Sequence, residues 1–229
     1  MLEIKSLKIE TSEGKQVIQE ASFEVAPGTI TIISGVNGSG KSSLLSGMLG
    51  HPKYKVPSGQ IILDGVDITN YKTEAKAKLG MYLAQQFVPA IEGVTLIQLL
   101  YKAVTNSQSL SKLGDISILE LNKSLESYCE EFALDKAFLT RELNVGLSGG
   151  EKKQAMLLSL LALVPKYIFL DEADSGMDSE AVEKLFKVIK YLQAKHNSAF
   201  VIVTHSKVFA SELGSDQELI IQNQCLIKK

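Results

Sequence analysis

The sequence predicts an α/β fold in which a mostly helical segment interrupts a strand–helix framework. Three observations carry this. Thr29–Ser34 (TITIIS) is an uncharged, β-branched run that enters a glycine-rich loop, Gly35–Gly40, and then helical spacing from Lys41 to about Gly50. That is the pattern of a strand buried on both faces leading into a helix. The last third alternates strand and helix: Tyr167–Asp171, Ser179–Lys195, Ala199–Thr204, Lys207–Leu213 and two short final strands. Between these flanks, from about Val88 to Leu163, the segments Thr95–Val104, Ile116–Phe132 and Glu151–Val164 repeat apolar residues at helical spacing with no good strand signal. Strands from both flanks are therefore expected to share one parallel core sheet.

The remaining elements follow in order. Leu2–Glu10 and Val17–Ala26 alternate apolar and polar residues, as half-buried strands do, and Pro27-Gly28 makes a turn. Gln60–Leu63 reads as a strand closed by Asp64-Gly65, and Met81–Ala84 as a short buried strand. Asn106–Gly114 (NSQSLSKLG) reads as an exposed loop, and no internal repeat is present. With 229 residues, 45% apolar and 22% charged, the chain can bury a core and is not globally disordered. Its formal charge is −2, and Arg141 is its only arginine. Bidentate reading of bases and phosphates favours arginine, so nucleic-acid binding is not expected. Cys129 and Cys225 fit no metal-ligand spacing and read as reduced thiols of a cytoplasmic protein. MLEIKSLKIE has no signal-peptide pattern, and the most apolar stretch, Ala155–Val164, is half a membrane span, so no direct membrane insertion is expected.

Three motifs carry chemistry. Gly35-Val36-Asn37-Gly38-Ser39-Gly40-Lys41-Ser42 fits G-x-x-x-x-G-K-[ST], the phosphate-binding loop. Glycines let backbone N–H groups turn inward around phosphate oxygens, Lys41 reaches the outer phosphates, and the Ser42 hydroxyl is a ligand for Mg²⁺. The helix that follows adds its positive N-terminal end. At ordinary glycine frequencies a chance match in a chain this long is on the order of one in a hundred. Tyr167-Ile168-Phe169-Leu170-Asp171-Glu172 is an apolar strand ending in two carboxylates. Asp171 there suits Mg²⁺, and Glu172 suits polarising an attacking water. Leu147-Ser148-Gly149-Gly150-Glu151 contains a capping box, S-x-x-E, with two glycines baring the first helical N–H groups.

A phosphate loop, then L-S-G-G-E, then an apolar strand ending Asp-Glu resembles the ATP-binding-cassette (ABC) ATPase family, in the family's order and over essentially the whole chain. The resemblance implies a P-loop NTPase fold: an ABC nucleotide-binding domain with a RecA-like α/β core, an N-terminal antiparallel β subdomain and an inserted α-helical subdomain. It implies one domain over 1–229, with 1–87 and 164–229 as catalytic core and 88–163 as the helical part. It implies ATP and Mg²⁺ as ligands. Gly35, Asn37, Gly38, Ser39, Gly40, Lys41, Ser42 and Ser43 would hold phosphates, and Ser42, Asp171 and Gln86 the metal. Glu172, His205, Gln86 and Lys41 would be the catalytic set, with Gln86 the Q-loop glutamine (its neighbour Gln85 being the other register) and His205 the switch histidine. It implies a homodimer of ATPase heads, in which Ser148, Gly149 and Gly150 of one chain, with Asp178 from its D-loop, complete the site of the other.

Local wording is similar to the SufC-type branch of the family, the ATPases of soluble iron–sulfur cluster assembly. Leu139-Thr140-Arg141, Asn144-Val145-Gly146 and Ser148–Lys153 match its L-T-R-x-x-N-V-G-x-S-G-G-E-K-K run, and Asp171–Asp178 (DEADSGMD) resembles its D-E-x-D-S-G-L-D. Phe87–Val94 resembles the stretch that follows the Q-loop there, and no aromatic residue occurs before Phe23 to stack on adenine. The branch implies SufB/SufD-like scaffold partners contacting Gln86–Val104. The apolar residues of that stretch (Phe87, Val88, Ile91, Val94, Leu96, Leu99, Leu100) are either interface or helical core. Gln154 and an end at Lys229 depart from the branch pattern, and the alternative is the ATP-binding subunit of an ABC transporter.

Overall fold

In the computed structural model, which describes residues 1–84, 90–106, 116–143 and 145–229, the alternation of the first 25 residues becomes a hairpin. β1 (Leu2–Thr11) pairs antiparallel with β2 (Gln16–Val25). Leu2, Ile4, Leu7 and Ile9 are buried, although the odd step from 4 to 7 breaks a period of two. A register shift between Ile4 and Leu7, with Ser6 at φ 43°, absorbs the extra residue and returns Leu7 and Ile9 to the core face. β4 (Tyr54–Lys55) and β5 (Gln60–Leu63) pair antiparallel with β1, and β6 (Val66–Asp67) with β5.

The parallel strands are β3 (Ile30–Gly35), β7 (Met81–Ala84), β10 (Tyr167–Asp171), β11 (Ala199–Val203) and β12 (Gln217–Gln222), in the order β12-β3-β11-β10-β7. β13 (Cys225–Lys228) turns back antiparallel on β12 and meets β2 at Cys225 opposite Glu20, which joins both parts into one sheet path. Every residue of β10 and β11 is buried, as the apolar runs Tyr167–Leu170 and Ala199–Val203 require, with Asp171 buried at the end of β10. Alternate side chains enter opposite layers. Tyr167 and Phe169 pack with Leu44, Leu45 and Met48 of α1 (Lys41–Met48). Ile168 and Leu170 pack with Leu185, Val188 and Leu192 of α6 (Ser179–His196). α2 (Thr73–Lys78) and α7 (Lys207–Leu213) complete the connections between strands.

Between β7 and β10 lie α3 (Leu96–Thr105), α4 (Ile118–Glu131), a 3₁₀ turn at Lys136–Leu139, and α5 (Gly149–Leu163). Thr95, Ser117 and Ser148 each close a capping box at a helix start. This stretch is not strand-free, as its sequence implied. β8 (Ile91–Thr95) pairs with β9 (Glu142–Leu143), joining Ile91 to Leu143 and Thr95 to Glu142. β8 is mostly exposed and contains Gly93, and β9 is two residues long, so neither shows a period of two. Leu96 and Leu100 are core, whereas Ile91 and Leu99 are 40% and 38% exposed. Ile91 and Leu99, with the half-buried Val94, remain available to a partner among the described apolar residues of that stretch; Phe87 and Val88 lie outside the described residues. No described helix is long and apolar enough to cross a membrane.

Candidate active site

β3, β11 and β10 are adjacent and parallel, so their C-terminal ends share one edge of the sheet. The chain leaves β3 into the loop Gly35–Gly40, leaves β10 at Asp171, and leaves β11 just before Thr204-His205. The motifs far apart in sequence thus meet at one edge, where α/β sheets carry ligands. A cleft of about 730 Å³ opens there, lined by Val17, Asn37, Gly38, Gly40, Lys41, Ser42, Ser43, Glu172, Ser175 and His205.

The loop's shape depends on its glycines. At Gly35 (φ 148°) a Cβ would stand 2.9 Å from both Ile221 O and Ser39 Oγ. At Gly40 (φ 105°), the residue before α1, it would stand 2.9 Å from Ile18 Cδ1 and 3.1 Å from Val17 O. Any side chain there would fill the turn. The first backbone bond into α1 runs from Leu44 N to Gly40 O at 2.8 Å. The N–H groups of Lys41, Ser42 and Ser43 precede it and have no acceptor within the helix. Ser39 Oγ is buried without a hydrogen-bond partner among the described residues. Free donors around a glycine cradle fit a phosphate chain.

Lys41 is 5% exposed, and its Nζ donates to Gly35 O and Val36 O, both at 3.0 Å. Burial lowers its pKa, opposed by the nearby charges of Glu172 and Asp171. Ser42 Oγ donates to Asp171 Oδ1 at 2.9 Å. Burial raises the Asp171 pKa, while the Ser42 bond lowers it. A hydroxyl and a carboxylate side by side, with no imidazole or thiol between them, form a hard-oxygen pair that fits Mg²⁺.

Glu172 holds φ 51°, unusual for a residue with a side chain. Its N–H donates to Val203 O and its carbonyl accepts from Ser175 N, each at 3.0 Å. In this conformation Oε1 lies 3.0 Å from His205 Nε2. Two supports were not visible in the motifs. Thr204 Oγ1 donates to Asp174 Oδ2 at 2.7 Å and accepts from Ser206 N at 2.9 Å, which fixes the backbone beside His205. Lys153 of α5 donates to Ala173 O and Ser175 O, bracing the loop that carries Glu172. Only a strand-to-strand register brings Thr204 to Asp174, and no local pattern encodes it.

The other expected residues lie apart from this cleft. Ser148 caps α5: its Oγ accepts from Glu151 N at 3.3 Å, and its own N–H donates to Glu151 Oε2 at 2.7 Å. Arg141 Nη1 donates to Glu151 Oε1 at 2.8 Å. The Ser148 backbone bond and Arg141 hold the Glu151 pKa down at about 2. A Cβ on Gly149 or Gly150 would meet nothing within 4 Å, so this helix start is bare. Asp178 caps α6, accepting from Ala181 N at 2.8 Å. None of Ser148, Gly149, Gly150 and Asp178 lines the cleft. Gln86 lies outside the described residues.

Comparison with known proteins defines the class. A family model described as "ABC transporter" matches residues 18–175, and the chain belongs to this ABC ATPase family, whose members bind and hydrolyse ATP. "Vegetative protein 296" of Bacillus subtilis is 35% identical over 89% of this chain and 77% of that protein. "Probable ATP-dependent transporter ycf16" of Antithamnion sp. is 35% identical over 90% of this chain and 81% of its own length. A solved dimeric bacterial ABC transporter cassette superposes with a TM-score of 0.80 at 21% identity, covering 100% of this chain and 98% of that one. A dimeric cassette bound to ADP and Pi in a post-hydrolysis state superposes with a TM-score of 0.77 at 21% identity, over 100% and 98%. The fold is that of an ABC cassette, a P-loop NTPase of α/β class.

Proposed function

We propose that this chain is the Mg²⁺-dependent ATP-hydrolysing subunit of a SufC-like, soluble iron–sulfur cluster assembly complex. The observation that carries the ATPase reading is the convergence of Lys41, the Ser42–Asp171 pair and the Glu172–His205 pair on one cleft. Lys41 and the loop Gly35–Ser43 bind the phosphates of ATP. Ser42, Asp171 and Gln86 would hold Mg²⁺, which when bound neutralises charge on the transferring phosphoryl group. Glu172 orients the attacking water in line, and His205, already within reach of Glu172, and Gln86 complete the set. Ser148, Gly149, Gly150 and Asp178 act on the site of a second copy, which agrees with their bare position outside their own cleft.

Closing and opening of the two heads is the output. The wording from Leu139 to Lys153 and from Asp171 to Asp178 supports SufB/SufD-like scaffold proteins as what is moved, and Ile91 and Leu99 are the exposed apolar residues left for them. The names of several relatives, among them probable ABC transporter ATP-binding proteins of Streptococcus pyogenes, favour a second reading, the ATP-binding subunit of a transporter. Two measurements decide. Glu172→Gln is expected to bind ATP and hydrolyse it at least about a hundredfold more slowly; near-normal turnover removes Glu172 from its role. An anaerobic pull-down of the tagged chain is expected to recover two related soluble proteins with bound iron. Recovery of a polytopic membrane protein establishes the transporter instead.

A further inference from the structure

An aromatic side chain, Tyr54, reaches the first turn of the helix that follows the phosphate loop. Ser43, third residue of α1, lines the cleft, and its Oγ donates to Tyr54 Oη at 3.1 Å. Tyr54 is held firmly. It sits on β4, paired with Thr11 of β1, and its N–H donates to His51 O at 2.9 Å. The His51 ring stands edge-on to it, 6.1 Å between centroids, and the side chain packs on the buried cluster beneath the sheet. Tyr54 itself does not line the cleft, so whatever it does there it does through Ser43.

A serine hydroxyl carries one proton, and here that proton is spent on Tyr54. A phosphate oxygen needs a donor, so Ser43 can serve one only by turning its proton into the cleft. The tyrosine hydroxyl can then donate in return, because its own proton is not used in the Ser43 bond. We propose that Tyr54 is a positioning residue for nucleotide binding: on binding, the Ser43–Tyr54 bond reverses, so that Tyr54 donates to Ser43 and Ser43 donates to a phosphate oxygen. A chain of hydroxyls ending on an anion is polarised along its length, which strengthens the terminal bond. No covalent bond changes; two hydroxyl protons rotate. The inference rests on the phosphate-loop reading above and adds a residue to it.

Tyr54→Phe tests this, because it keeps the ring, its packing and the β4 pairing and removes only the hydroxyl. Titration with ATP is expected to show about two- to fourfold weaker binding, because the Ser43–Tyr54 bond is present before and after binding and only its polarisation of the bond to phosphate is lost. Ser43→Ala and the double variant Ser43→Ala/Tyr54→Phe complete a cycle in which the double variant binds like Ser43→Ala alone. A merely structural tyrosine gives a different result, its loss adding to that of Ser43→Ala. Wild-type affinity in Tyr54→Phe, or additive losses, overturns the proposal. Failure of the wild type itself to bind ATP overturns the phosphate-loop reading instead, so the two failures are distinct.

Discussion

At the scale of single residues, the cleft separates binding from chemistry. Lys41 is a buried cation whose Nζ contacts are backbone carbonyls, Gly35 O and Val36 O, and the loop's other donors are neutral. Lys41→Ala therefore removes the one full positive charge among the described residues lining the cleft, and ATP binding in equilibrium titration is expected to be lost rather than weakened. Retained tight binding contradicts the phosphate-loop assignment. Among the described residues Val17 is the only bulky apolar side chain lining the cleft, and it offers a nucleobase contact area but no hydrogen bond. Affinity for ATP and GTP is expected to be similar; a thousandfold preference for ATP, about 4 kcal/mol, requires a base-reading polar contact that these residues do not supply. The meeting of Lys41, Ser42, Asp171 and Glu172 was legible, because each belongs to a short motif with its own chemistry, and His205 was reached only through the family resemblance. Lys153, Asp174 with Thr204, and Tyr54 were not legible. They act through contacts across strands and helices, and a lysine or tyrosine carries no local sign of the carbonyl or hydroxyl it will meet.

At the scale of elements, long amphipathic helices and uncharged strands were readable and short pieces were not. α5 and α6 extend within two residues of their expected ends, since caps mark both and a hydrophobic period marks α6. The β8–β9 pair and α2 escaped, being too short for a period to show. α2 nonetheless matters to the site. Its Lys76 is fully buried, and Nζ donates to Met48 O at 2.7 Å, the last residue of α1, and to Thr69 O at 3.3 Å. It thus places a cation at the C-terminal end of the helix whose N-terminus faces the cleft, a favourable pole for it. Burial lowers the Lys76 pKa to about 8, with Asp67 opposing, whereas an unfolded lysine titrates near 10.4. Between these values the unfolded chain binds more protons, so this residue's contribution to stability rises with pH across that window. The thermal midpoint of the wild type minus that of Lys76→Met is expected to grow from pH 7.5 to 10. A difference that does not change with pH means that Lys76 titrates in the fold as it does in water.

At the scale of the whole molecule, the arrangement of the motifs is itself the argument for a second copy. Among the described residues the cleft holds donors, a hard-oxygen pair and a carboxylate–histidine pair, and the bare helix start at Ser148–Gly150 does not line it. On the function proposed above, each site in a head-to-tail pair would take its phosphate loop from one chain and its Ser148 loop from the other. Gly149→Asp isolates the second half. The site accepts a side chain, since a Cβ there meets nothing within 4 Å, and an acidic first turn favours the helix. The same carboxylate repels a γ-phosphate presented by the partner. Gly149→Asp alone and Lys41→Ala alone should each be inactive, because every site in either homodimer carries one defect. Mixed in equal amounts, half the dimers pair the two variants, and each such dimer holds one site with an intact phosphate loop and an intact Ser148 loop. ATPase activity is therefore expected to recover to as much as about a quarter of the wild-type rate per chain, by random pairing in a two-fold assembly. Recovery of activity from two dead proteins cannot arise if each chain completes its own site. No recovery, with ATP-dependent dimers demonstrated by sedimentation, would return Ser148–Gly150 to a purely structural role as a helix cap.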